Sequence, residues 1–102
     1  MGFIELEQFA LAPGVTRDDF VVLDDRLQAW SYVHRDGLRR RTTAFGGDGT
    51  VLIVSLFSGA TAPPPLVLDA VAGVTRDDDP VDGLRGAIQP ESYRRSVYED
   101  RG

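Results

Sequence analysis

The sequence predicts an α+β fold whose elements run β-α-β-β-α-β. Three observations carry this reading. One long stretch repeats its apolar residues at helical spacing, four shorter stretches have strand character, and a Gly-rich turn joins two of those strands. At 102 residues and 42% hydrophobic content the chain builds one core, and a single domain spans 1–102.

The elements follow in order. Residues Phe3 to Phe9 alternate as a strand does: Ile4 and Leu6 share one face, while Phe3, Glu5, Glu7 and Phe9 share the other. Ala12-Pro13-Gly14 ends the strand. Thr16 is a good helix N-cap, with Asp18 and Asp19 in the positively polarised first turn. Phe20, Leu23, Leu27, Trp30, Ser31 and His34 fall within one arc of about 100° on a helical wheel, which predicts a helix over roughly residues 17 to 35. Gly37 stands where a left-handed residue closes a helix. Leu38 to Phe45 and Thr50 to Phe57 read as strands joined by the hairpin loop Gly46-Gly47-Asp48-Gly49. The second of them is apolar on both faces, as a central strand is when both sides are covered.

Ser58 to Pro65 reads as loop, and Leu66 to Val71 as a short helix or turn. Asp79-Pro80 is a cap followed by proline in the first helical position, so a short helix is expected from Pro80 to about Ala87, weakened by Gly83 and Gly86. Ser92 to Tyr98 is the last strand. Gly-Val-Thr-Arg-Asp-Asp occurs at Gly14 to Asp19 and again at Gly73 to Asp78; both copies are capping phrases rather than an internal repeat.

Two βαβ halves of this kind give an antiparallel sheet with both helices on one face, the ferredoxin-like arrangement. The other face is expected to carry Phe3, Phe9, Phe45 or Ala44, and one side of the apolar third strand. Exposed apolar area of that kind calls for a partner. The expected assembly is a homodimer in which two sheets pack face to face into a barrel.

Composition excludes several classes. All eleven basic residues are arginine, sixteen residues are acidic, and the formal net charge is −5. That balance argues against nucleic acid, whose phosphates repel Asp and Glu. No apolar run approaches the ~20 residues of a membrane span. Without cysteine there is no disulfide, thiolate nucleophile or Cys-ligated metal site, and His34 alone cannot build a multi-His site. No cofactor is expected. Met1 to Leu11 carries Glu5 and Glu7 and no basic stretch, so no secretory leader is expected and a reducing, cytoplasmic compartment fits. The lack of Lys and Asn beside abundant Arg, Ala, Gly and Asp is what GC-rich, bacterial coding produces.

The opening strand, Ala12-Pro13-Gly14-Val15-Thr16, the helix with Gln28-Ala29-Trp30, and Gly37-Leu38 entering a strand resemble the dimeric α+β barrel superfamily. That group includes the antibiotic-biosynthesis monooxygenase-like proteins. Ala87-Ile88-Gln89-Pro90-Glu91-Ser92-Tyr93, then Val97-Tyr98-Glu99, is similar to its last helix-to-strand turn. The resemblance implies ferredoxin-like protomers, a homodimer and a cavity between the sheets. Two features depart from the pattern. Phe57-Ser58-Gly59 stands where members often have Trp-Glu-Ser, and residues 60–76 look like an insertion before the second helix. Cofactor-free monooxygenases and haem-degrading members use an Asn and a Trp in the cavity. This chain has no Asn and its one Trp lies on the first helix, so no catalytic residue carries over.

Two functions are weighed. The first is a dimer that binds a small apolar or aromatic ligand between its sheets, with Glu5, Glu7, Trp30, Arg41, Phe57 and Tyr93 as candidate lining residues. The second, implied by the resemblance, is a cofactor-independent monooxygenase or isomerase acting on an aromatic polyketide-like substrate. Glu7 or His34 would then take a proton and an arginine would hold the developing enolate.

Each candidate also has a structural reading. His34 near a helix C-terminus can bond a helix-end carbonyl instead of acting as a base. Trp30 shares the core arc, while Tyr32 points off it toward an edge or interface. Glu5 and Glu7 lie about 7 Å apart on one strand face, in the expected inter-sheet space. Burying them is costly unless they are paired, and Arg94 and Arg95 on the neighbouring strand are the expected partners, with Arg39 and Arg41 reaching across the dimer. Alternation sends Arg40 to the face opposite Arg39 and Arg41, so the run is no nucleic-acid patch. Asp77-Asp78-Asp79 with Asp82 lacks the spacing of a calcium loop.

Overall fold

The computed structural model describes residues 1–66 and 80–101. Its elements are β1 (Gly2–Ala10), α1 (Arg17–His34), β2 (Leu38–Phe45), β3 (Thr50–Ser58), α2 (Pro80–Ala87) and β4 (Arg94–Asp100). The four strands form one antiparallel sheet in the order β2-β3-β1-β4. With two helices this is an α+β fold compatible with the ferredoxin-like arrangement. Among the described residues no helix is long and apolar enough to cross a membrane.

The first helix starts as its sequence dictates. Thr16 and Asp19 form a reciprocal capping box, each side chain accepting the other's backbone N–H at 3.1 Å. These bonds hold the Asp19 carboxyl below its ordinary pKa. The helix ends at His34, and Arg35 leaves it with extended dihedrals. Gly37 then takes φ +80°, and its carbonyl accepts the Ser58 N–H at 2.8 Å. A Cβ on Gly37 would collide with the Ser58 carbonyl oxygen, so close approach and positive φ both demand glycine there.

The start of β4 differs from the expected Ser92. Pro90–Ser92 forms a 3-10 turn, and the Ser92 hydroxyl is committed to it. That hydroxyl donates to Gln89 O at 2.6 Å and accepts the Ala10 N–H at 2.9 Å, so pairing begins at Arg94. The readings of Leu66 to Val71, the second capping phrase, most of the 60–76 insertion, the Asp79 cap and the Asp77 to Asp79 run all reach into residues outside the described set.

Both helices pack on one side of the sheet. Phe20 and Leu27 of α1 join Val81, Leu84 and Ala87 of α2 in one core cluster with Phe9, Val51 and Ile53. Phe20 is central, with edge-on ring contacts to Phe9 at 5.7 Å and to Phe45 at 6.1 Å. The odd-numbered residues of β1 and β3 therefore face the helices. This corrects the expected uncovered face. Phe9 and Phe45 sit under the helices, and Glu5 and Glu7 go with Phe9 because alternation leaves them no choice. The uncovered side carries Ile4 and Leu6 of β1 in their place, together with Ala44 and the Leu52, Val54 and Leu56 side of β3, which the alternation also allowed.

Candidate functional site

The helix–sheet layer contains a chain of ionised groups. Glu5 is fully buried and takes two arginines. Arg35 grips it with both terminal nitrogens, at 2.8 and 3.0 Å, and Arg95 adds its Nε at 2.8 Å. Burial pushes the Glu5 carboxyl up, but the Arg35 guanidinium, and then that of Arg95, outweigh it and hold the group below its ordinary pKa. The same two arginines donate onward to consecutive proline carbonyls, Arg35 to Pro64 O at 2.9 Å and Arg95 to Pro63 O at 2.7 Å. One carboxylate thus ties the end of α1, the edge strand β4 and the proline segment together.

Glu7, 2% exposed, is two residues further along the same face. Its Oε2 accepts the Tyr93 hydroxyl at 2.6 Å. Burial, then the charge of Glu5, raise its pKa against the opposing pull of the Tyr93 bond and of Arg35 and Arg41. Tyr93 is raised too, by its burial and by the charge of Glu7. The pair therefore shares a proton-retaining environment, unlike Glu5 beside it.

Arg41 does not reach across a dimer. It is buried on the helix side and bonds Asp24 of α1 at 2.7 Å, while its backbone N–H donates to the Tyr32 hydroxyl at 2.8 Å. Arg41, Ser55 and Glu5 are successive neighbours across the sheet. Asp24 is tied to the first of them and Arg35 to the last, so α1 crosses this row. Ser31 on that helix and Ser55 in the row are both buried, and neither hydroxyl has a hydrogen-bond partner among the described residues.

The remaining sequence candidates lie elsewhere. Trp30 packs partly buried against the core and stacks on the His34 ring at 4.5 Å. His34 is exposed, and its Nδ1 donates to Trp30 O at 2.9 Å, the helix-end bond its position suggests. Phe57 is buried under the Arg35 guanidinium, 4.8 Å from its ring centroid. Glu5, Glu7, Arg41 and Tyr93 do meet in one layer, but between helices and sheet rather than on the open side. Trp30 and His34 form a separate pair on α1. Arg94 pairs with no carboxylate among the described residues; it donates to Glu91 O and Tyr93 O.

The uncovered face has its own relief. Ile4 and Leu6 on β1 lie beside Leu56 and Val54 on β3, each half-buried, and Tyr98 across from Ile4 is 56% exposed. Arg40, Thr42, Val54 and Leu56 line a depression of about 290 Å³. A second depression, about 420 Å³, shares Arg40 and Leu56 with it and adds Arg39, Phe57, Ser58, Met1, Gly2 and Asp100. Strict alternation would separate Arg39 from Arg40. The register slips between Leu38 and Arg40, and this bulge brings both arginines to the same hollow.

Sequence reading missed Arg35 and Asp24 as ion partners and missed the convergence of Arg39 with Arg40. Asp24 sits one turn from Phe20 and was visible on the wheel. Arg35 was not, because the wheel does not apply beyond the last helical residue. No protein-family model matches the chain, and neither a curated protein nor a solved structure matches it.

Proposed function

We propose that the protein is a small-ligand-binding homodimer whose two sheets pack through their uncovered faces, in the manner of the dimeric α+β barrel superfamily it resembles. One observation carries this reading: the side of the sheet away from the helices is floored by Ile4, Leu6, Leu52, Val54 and Leu56. Five contiguous apolar side chains, each half-buried on an open sheet face, support an interface or a ligand groove there. Packed sheets stand about 10 Å apart, a gap that side chains normally fill. Over the hollow at Thr42, Val54 and Leu56 a second sheet would instead close a cavity, with room for a small apolar or aromatic molecule. The lining residues of this reading are those of the even-numbered face, not Glu5, Glu7, Arg41 and Tyr93. The cysteine-free chain suits the reducing cytoplasm.

The alternative, a cofactor-independent monooxygenase or isomerase, gains less support. Glu7 lies behind the sheet, hydrogen-bonded to Tyr93, and His34 is engaged with a backbone carbonyl on the outside of α1. Neither candidate base faces the hollow. Binding is tested by methyl NMR during titration with naphthalene and 1-naphthol. The Val54 and Leu56 methyl signals should shift while those of Leu27 and Leu84 stay still. Shifts confined to the helix-side methyls, or none, would overturn the reading. Oxygen consumption with dihydroxyaromatic compounds should not exceed that of a protein-free control.

A further inference from the structure

The binding reading above leaves the polar end of the hollow unexplained, and this inference rests on that reading. Arg39 and Arg40 are exposed neighbours in one depression, and neither makes an ion pair with another described residue. Arg35, Arg41 and Arg95 all hold buried carboxylates. Arg17 lies over the Phe45 ring at 4.2 Å. The bulge turns Arg39 and Arg40, both exposed, into the same hollow. A bulge re-aims a side chain at the cost of ladder bonding, and bulges gather next to functional sites. In a chain of net charge −5, two exposed guanidiniums at one place make a local positive spot.

The surroundings specify what such a spot would take. Leu56 belongs to both depressions, and Val54 and Thr42 continue the smaller one away from the arginines. The combined trough is therefore cationic at the β2 end and apolar along β3. Asp100 lines the cationic end and makes an interaction of its own. It narrows the choice against multiply charged anions, which it repels, and leaves a single negative charge as the best match.

We propose that Arg39 and Arg40 are the anion-binding end of an amphipathic trough, which takes a small monoanionic aromatic or aliphatic molecule with its apolar body over Leu56 and Val54. Two guanidiniums can each present paired N–H donors to a carboxylate or sulfonate.

A matched pair of fluorescent probes tests this on the whole chain. 8-Anilino-1-naphthalenesulfonate carries one negative charge; N-phenyl-1-naphthylamine has the same ring skeleton and none. Wild type should bind the sulfonate roughly tenfold more tightly than the neutral amine, and the preference should fall as salt rises. Arg39→Gln with Arg40→Gln should abolish the preference for the sulfonate over the neutral probe. Leu56→Gln should weaken both probes, with far-UV circular dichroism confirming that each variant is folded. Equal affinity for the two probes in wild type, or a preference that survives the double substitution, would overturn this inference alone. Failure of both probes to bind, or binding indifferent to Leu56→Gln, would overturn the ligand-binding reading and this inference together.

Discussion

The Tyr93 hydroxyl, just ahead of β4, lies 2.6 Å from Glu7 Oε2 of β1, inside the protein. Glu7's folded pKa stands above its open-chain value of about 4.3, so the fold holds this proton more tightly than the unfolded chain does. Its contribution to stability is complete below that value and is lost as pH rises through the folded pKa. Glu7→Gln imitates the protonated form and should raise the melting temperature at pH 8 by several degrees, on the scale of about 4–8 °C per kcal/mol for a chain of this size. At pH 4 the gain should vanish. Tyr93→Phe removes the donor and should cost about 1–3 kcal/mol at neutral pH. Thermal melts of both variants at the two pH values check the pair; a gain from Glu7→Gln that is independent of pH would contradict the assignment.

Glu5 behaves in the opposite sense. Its folded pKa is depressed, so its contribution is present above about 4.3 and is lost as pH falls through the folded value. Glu5→Ala leaves the Arg35 and Arg95 guanidiniums without their shared carboxylate and should cost about 3–5 kcal/mol in urea unfolding at pH 7. A loss under about 1 kcal/mol, the scale of an exposed pair, would mean that the two arginines find other partners.

Glycines at positive φ differ in what surrounds them. Gly14 at +85° has open space where an added methyl would stand, so Gly14→Ala should cost only the conformational strain of about 1–2 kcal/mol. Gly37→Ala carries the same strain and also drives a methyl into the Ser58 carbonyl at the end of β3. It should be the more damaging of the two by equilibrium denaturation. Equal costs would show that the β3 end yields freely.

Much of this architecture was legible in the residues. Thr16 with Asp19, the wheel from Phe20 to Ser31, the glycine hairpin and Pro80 all marked local elements, because capping, periodicity and turn chemistry act over a few residues. What alternation does not say is which side of a strand the helices will take. Phe9 and Leu6 are both apolar, and the choice between them was settled by Phe20 packing on Phe9, a contact between residues on different elements. Two carboxylates on one strand face call for cations, and Arg95 does answer Glu5; Arg94 does not answer either, and Glu7 takes the Tyr93 hydroxyl instead. Arg35 was hidden by its place just past the helix end. The bulge that unites Arg39 and Arg40 leaves no mark in the local sequence, since Leu-Arg-Arg-Arg reads equally well as unbroken strand.

The proposed homodimer places a second copy over the face floored by Ile4, Leu6, Leu52, Val54 and Leu56. Sedimentation equilibrium of the wild-type chain between about 1 and 100 µM measures it directly, over the range in which such contacts assemble. The expected mass is twice the 11.2 kDa of one chain. Val54→Arg, in the middle of that face, should return a folded 11.2 kDa monomer. A wild-type monomer at the top of that range would contradict the proposed homodimer.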